Sequence, residues 1–183
     1  MTDQAATLPP RIRILTAAEA TARIPELSDV LIDCVEGGAS VSFMLPIGRE
    51  RADCFWRGVA EGVAAGERIL LVAEDEATGE LLGTAQLIVD MPDNQPHRAD
   101  VAKVLVRRSA RRRGLGAALM DGVERAARGA GRPLLVLDTT TGDDAERLYQ
   151  RLGWTRVGEV PRYAHMPDGT PSGTTFFYKE VWG

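Results

Sequence analysis

The chain reads as an α/β (α+β) protein, a mixed sheet of about seven strands flanked by about four helices. Three observations predict this. Short β-rich runs alternate with amphipathic stretches along 183 residues, a length that suits one domain. Two of those runs, RILLVAED and LLGTAQLIV, are joined by the turn-forming ATGE and read as a hairpin. A third, PLLVLD, is almost continuously apolar, as in a strand buried on both faces.

The elements follow in order. Residues 1–10 form an arm, and residues 11–183 the single domain. Arg11–Leu15 alternates as a first strand. Ala17 to Glu36 is helical, with Leu27, Leu31 and Cys34 or Val35 on one face and Pro25 marking a break or a first turn. Gly37–Ser40 is a turn. Arg49 to about Ala65 is a second helix stopped by Gly66. The hairpin Arg68–Asp75 and Leu81–Val89 comes next, then a loop and the strand Ala99–Val106. Gly114 to about Ala130 carries Leu115, Leu119 and Val123 at helical spacing, and Gly131 ends it. Pro133–Asp138 is the buried strand, Asp143–Leu152 a last helix, and WTRVGEVPRY and GTTFFYKEVW two closing strands.

Composition narrows the function classes. The net charge is -4, and a nucleic-acid partner calls for a basic excess that is missing here. The arginines of VRRSARRRG are a local concentration on a mildly acidic body, suited to a small anionic ligand. No apolar run reaches the roughly 20 residues a membrane helix needs. The first residues show no basic-then-apolar signal pattern. Cys34 and Cys54 match no metal spacing, and the only histidines, His97 and His165, lie far apart. The expectations are a cytoplasmic location, reduced thiols, no metal, no nucleic acid and no membrane.

The segment Val106–Met120 carries the chemistry. A strand-to-helix turn with Gly114 and Gly116 brings unpaired helix N–H groups and a partial positive charge to one point. Arg111, Arg112 and Arg113 add charge there. A GxxxxGK[ST] phosphate loop is excluded, because no Lys-Ser/Thr follows. GLGAAL with Asp138 downstream imitates a dinucleotide loop, but Arg107–Arg113 separates it from its strand and a hairpin precedes it.

Arg111-Arg112-Arg113-Gly114-Leu115-Gly116 resembles the acyl-CoA-binding turn, [RQ]-x-x-G-x-[GA], of the GCN5-related N-acetyltransferases (GNAT superfamily). Ala145 to Trp154 is similar to that superfamily's A-x-x-L-Y-x-x-x-G-F helix, with Trp for Phe, and the order of the elements agrees. VEGGASVSFM, the Ala99–Val106 strand, LDTTTGDDAERLY and TRVGEVPRYAHMPDG look most like the tabtoxin-resistance acetyltransferases, which acetylate an amino acid toxin carrying a β-lactam.

The resemblance implies the GNAT fold and an acetyl-CoA-dependent N-acetyltransferase acting by direct attack, with no covalent enzyme intermediate. It implies cofactor contacts from Val104, Leu105, Val106, Arg111, Arg112, Arg113, Gly114, Leu115, Gly116, Ala117, Asp143 and Tyr149. Val104 offers the amide that polarises the thioester. Tyr149 is the general acid for the departing thiolate, and Asp100 and Asp138 are the acidic pair at the acceptor. Family members carry Glu where this chain has Asp100, and often Asn where it has Gly142. Gly37, Gly38, Ser40 and Tyr163 are expected at the acceptor, with Phe43, Trp56 and His165 as further walls. The expected partner is a small-molecule amine, an antibiotic or amino acid toxin among the candidates. Polyamine, aminoglycoside or protein N-terminal acceptors and a non-catalytic acyl-CoA sensor remain as alternatives. Superfamily members often dimerise through terminal strands, so the apolar TTFFYKEVW end allows a homodimer.

Overall fold

Among the described residues seven strands hydrogen-bond in the order β1-β2-β3-β4-β5-β7-β6. A computed structural model describes residues 10–182; the rest of the predicted arm lies outside the described residues. The strands are β1 (Arg11–Ile14), β2 (Arg68–Glu74), β3 (Leu81–Ile88), β4 (Arg98–Val106), β5 (Leu134–Thr140), β6 (Thr155–His165) and β7 (Pro171–Glu180). The helices are α1 (Ala17–Ala22), α2 (Ile24–Glu36), α3 (Arg49–Ala64), α4 (Leu115–Gly129) and α5 (Asp144–Arg151). Neighbouring strands run antiparallel except β4 and β5, which are parallel and joined through α4. This order of hairpin, crossover and hairpin is not that of a doubly wound dinucleotide fold.

Among the described residues five helices stand where about four were expected, because the first divides at Arg23. Thr16 and Glu19 form a reciprocal cap at the start of α1, the Glu19 carboxylate accepting from the Thr16 amide at 2.8 Å. Pro25 then sits in the first turn of α2, where its missing N–H costs nothing. Among the described residues, no helix is long and apolar enough to cross a membrane.

Two cores flank the sheet. Leu115, Leu119, Val123 and Ala127 put one stripe of α4 against β3 and β4, each at most 1% exposed. Burial of this kind stabilises by about 1.5–3 kcal/mol per large aliphatic side chain. On the other face, α1, α2 and α3 cover Leu70, Val72, Leu81 and Leu105. That layer stops short of the second half of the sheet. β5 therefore departs from expectation: Leu135 and Leu137 are buried, whereas Leu134 and Val136 are half-buried and Asp138 is exposed, since no helix covers that side. β6 closes the sheet as an edge strand and leaves Val157, Val160 and Tyr163 exposed.

Candidate active site

The parallel strands β4 and β5 pair only through Arg98↔Leu134, Ala99↔Leu135 and Asp100↔Val136. Beyond these three positions they part. A cleft of about 800 Å³ opens there, with Val104, Leu105 and Val106 on one wall and Ala145, Leu148 and Tyr149 of α5 on the other.

The Arg111–Gly116 turn closes one end of the cleft. Arg112 (φ 60) and Gly114 (φ 78) take left-handed backbone, which curls the chain sharply into α4. No side chain caps that helix, and its first internal bond runs from the Ala118 amide to the Gly114 carbonyl. The amides of Leu115, Gly116 and Ala117 thus stay free of helical partners at a positive helix end. A Cβ on Gly116 would lie 2.9 Å from Leu148 Cδ2, so this glycine keeps α4 and α5 close at the cleft. Arg111 donates to the Val106 carbonyl at 3.3 Å. Arg113 turns the other way: it does not line the cleft and acts electrostatically on Asp75. Arg151, not singled out in the sequence, lines the cleft instead. Gly142 holds a left-handed φ of 82, and its amide donates to Glu146 at 2.5 Å.

Tyr149 is 5% exposed, wedged between Trp154 and Phe177 with ring centroids 6.0 Å away on each side. Burial, with the charges of Asp138 and Asp143 adding, drives its phenol pKa well above the ordinary value. The hydroxyl stays protonated at neutral pH and can only give its proton to a strong base. Cys34 also lines the cleft, but burial lifts its thiol pKa to about 11, which leaves little thiolate at neutral pH.

Asp100 and Asp138 lie on one face, because Asp100 is paired with Val136 and Asp138 follows two residues on. Both sit outside the lining of the large cleft, on the side of the sheet that the helices leave open. Arg98 forms an ion pair with Asp100. The residue surface of Asp138 is open, yet protein crowds its carboxyl. That desolvation raises its pKa; nearby Lys103 opposes the rise and Asp100 adds to it.

Lys103 is a site residue that the sequence reading passed over. The β3–β4 register moves from Gln86↔Ala102 to Thr84↔Leu105, so β4 carries one extra residue. Lys103 adopts φ 52 there. Before the bulge Ala99 and Val101 face α4; after it Val104 and Val106 do. The side chain of Lys103 goes to the opposite face, with its ammonium 3.2 Å from Ser42 Oγ and 5.7 Å from the centre of the Phe55 ring. A signal existed. Strict alternation through VAKVLV would send a lysine into the α4 core beside Val101, a conflict that a bulge resolves.

The expected acceptor residues divide. Gly37 and Gly38 line the large cleft beside Cys34 and Ala39, with Val104–Val106 and the Arg111–Gly116 turn. Ser40 donates to the His165 carbonyl at 3.2 Å, and the Leu45 amide donates to the Pro167 carbonyl at 2.9 Å. These bonds tie the α2–α3 loop to the β6–β7 hairpin across the open face. Tyr163 is exposed and meets Phe176, the β7 partner of Asp138, edge to face at 5.6 Å. Phe43 and Trp56 are buried in the helical layer, and Trp56 is fully enclosed.

Comparison with known proteins agrees with this architecture. Residues 41–154 match the acetyltransferase (GNAT) family. An uncharacterized N-acetyltransferase in the hisH-hisA intergenic region of Azospirillum brasilense is 33% identical over 120 residues, 64% of this chain and 68% of that protein. An N-acetyltransferase structure from Staphylococcus aureus Mu50 superposes with a TM-score of 0.77 at 16% identity, over 95% of this chain and 99% of that one. The Salmonella typhimurium structure yncA, solved with its cofactor acetyl-CoA, has a TM-score of 0.76 at 19% identity over 95% of both chains. The chain belongs to the acetyltransferase (GNAT) family.

Proposed function

We propose that this protein transfers the acetyl group of acetyl-CoA to the amino group of a small molecule by direct attack. The observation that carries this reading is the cleft between the parted strands. It joins the N-terminal turn of α4, the wall Val104–Val106 and Tyr149 in one continuous space. The fit is chemical as well as spatial. Uncapped amides with Arg111 and Arg112 at the turn suit the pyrophosphate of coenzyme A. The parted edge of β4 suits an extended amide chain laid beside it.

Acetyl-CoA supplies the activated acetyl group. The chain's own residues do the rest. The Val104 amide polarises the thioester carbonyl as charge develops on its oxygen. Asp138, with Asp100 beside it, holds the incoming ammonium and takes its proton, since only a neutral amine attacks. Tyr149 keeps a proton ready for the departing thiolate. No enzyme nucleophile is needed, in keeping with the inert thiol of Cys34.

The acceptor we infer is a small amine, of the kind carried by antibiotics and amino acid toxins. The bonds from Ser40 and Leu45 to the β6–β7 hairpin roof the acceptor side, which favours a compact molecule over a protein chain terminus. The test is thiol release from acetyl-CoA across a panel of amino acids, aminoglycosides, polyamines and peptides, with the acetylated product identified by mass spectrometry. Transfer to a small amine supports the reading. Transfer to peptides alone would overturn the acceptor assignment.

A further inference from the structure

We propose that Lys103 is the anion anchor of the acceptor pocket, so that the amine acetylated here carries its own carboxylate close to the amino group. The inference rests on the transferase reading above and narrows its substrate class. A long side chain at φ 52 is an uncommon arrangement, and here a buried partner holds it. Thr84, 0% exposed, donates from Oγ1 to the Lys103 carbonyl at 3.1 Å. The bulge therefore aims an ammonium at the same open face that carries Asp100 and Asp138.

That ammonium has three donors. Ser42 Oγ takes one, at 3.2 Å, and the Phe55 ring lies beneath it. Among the described residues no carboxylate stands within 4.0 Å of it, and the acidic pair on this face is divided: Arg98 holds Asp100, while Asp138 is left without an ion pair. Partial burial works against the charge on Lys103 and lowers its pKa, so an anionic oxygen in reach would bind well. Arg68 reinforces the field. Its Nη1 donates to Gln86 Oε1 at 3.1 Å, its buried Nε has no partner, and its charge is felt at Lys103.

The face is thus dipolar. Asp138 suits an ammonium, and Lys103 backed by Arg68 suits an acid on the same small molecule. A polyamine or aminoglycoside would bring further cations against Lys103 and Arg68, a repulsion that selects against them.

The experiment compares kcat/KM for the twenty amino acids with that for their uncharged amides, in wild type, Lys103→Met and Lys103→Arg, and titrates acetyl-CoA into each. Wild type is expected to prefer a free acid over its amide by about 10- to 100-fold, the scale of charge-assisted hydrogen bonds. Lys103→Met should erase that preference by lowering the acid far more than the amide, and Lys103→Arg should restore part of it, with acetyl-CoA affinity unchanged in both. Amides reacting as well as acids in wild type would overturn the proposal. So would an equal loss for acids and amides in Lys103→Met, which marks a merely structural residue, or no turnover of any amino acid by protein that binds acetyl-CoA. Wild-type protein that binds no acetyl-CoA would contradict the transferase reading itself.

Discussion

The hydroxyl of Thr84 holds the carbonyl of Lys103 at 3.1 Å, and with it the bulge that separates the β5-paired part of β4 from the part that lines the cleft. On the near side of the bulge β4 pairs with β5 and carries Asp100; on the far side it parts from β5 and lines the cleft. Thr84→Val keeps the shape of the side chain and removes the bond, leaving a buried carbonyl unpaired. The expected cost is about 1–3 kcal/mol of stability in thermal or urea denaturation. The KM for the acceptor should rise more than the Kd for acetyl-CoA.

Tyr149→Phe removes the proposed proton donor and keeps the ring between Trp154 and Phe177. Turnover should fall by about 100-fold or more, the usual range for a lost general acid, while acetyl-CoA affinity, read by calorimetry, changes little. Equal losses in both would assign Tyr149 to binding alone. Because burial raises its pKa, the wild-type rate should show no decline from loss of this proton below about pH 10.

In the proposed mechanism Asp138 fixes the acid limb of the pH–rate profile. Burial raises its pKa, and the reactive form is the carboxylate. Activity should therefore be lost on acidification at a pH above the ordinary value of about 4. Asp138→Asn should abolish that limb along with most of the rate. Lys103→Met removes the charge that favours the carboxylate, so the limb should move to still higher pH. A shift to lower pH would contradict the placement of Lys103 beside Asp138.

The two thiols should differ sharply. Cys54 is exposed and Cys34 is buried with its pKa raised to about 11. Iodoacetamide at pH 7.5 should label one site per folded chain, at Cys54. Turnover after labelling, and in Cys34→Ala, should stay within about threefold of wild type, as a mechanism without an enzyme nucleophile requires.

Much of the site could be read from the chain before its fold was known, and the reason is local. Gly114 and Gly116 answer needs set within one turn: a left-handed φ in the first case and close helix packing in the second. Tyr149 lies on a helix whose pattern fixes its face. Asp100 and Asp138 come together as expected because each sits at a known point on two strands that prove to be parallel neighbours. What escaped notice depends on partners distant in sequence. Lys103 gains its role from a register shift against β3, and that shift needs Thr84. Arg113 leaves the cleft because the backbone twist at Arg112 decides where the arginines of the turn point, and Arg151 lines it from the last turn of α5. The cover missing from β5 reflects how far α1, α2 and α3 extend, which no property of PLLVLD reveals.

The central claim is that the Arg111–Gly116 turn and the cleft behind it hold acetyl-CoA. Calorimetric titration of acetyl-CoA into wild type and Gly116→Val tests it most directly, since the added side chain would crowd Leu148 at the mouth of the turn. The account predicts one site per wild-type chain and at least tenfold weaker binding in the variant, with its circular dichroism spectrum unchanged; tenfold corresponds to about 1.4 kcal/mol. Equal affinity in a folded Gly116→Val, or no binding to wild type, would contradict it.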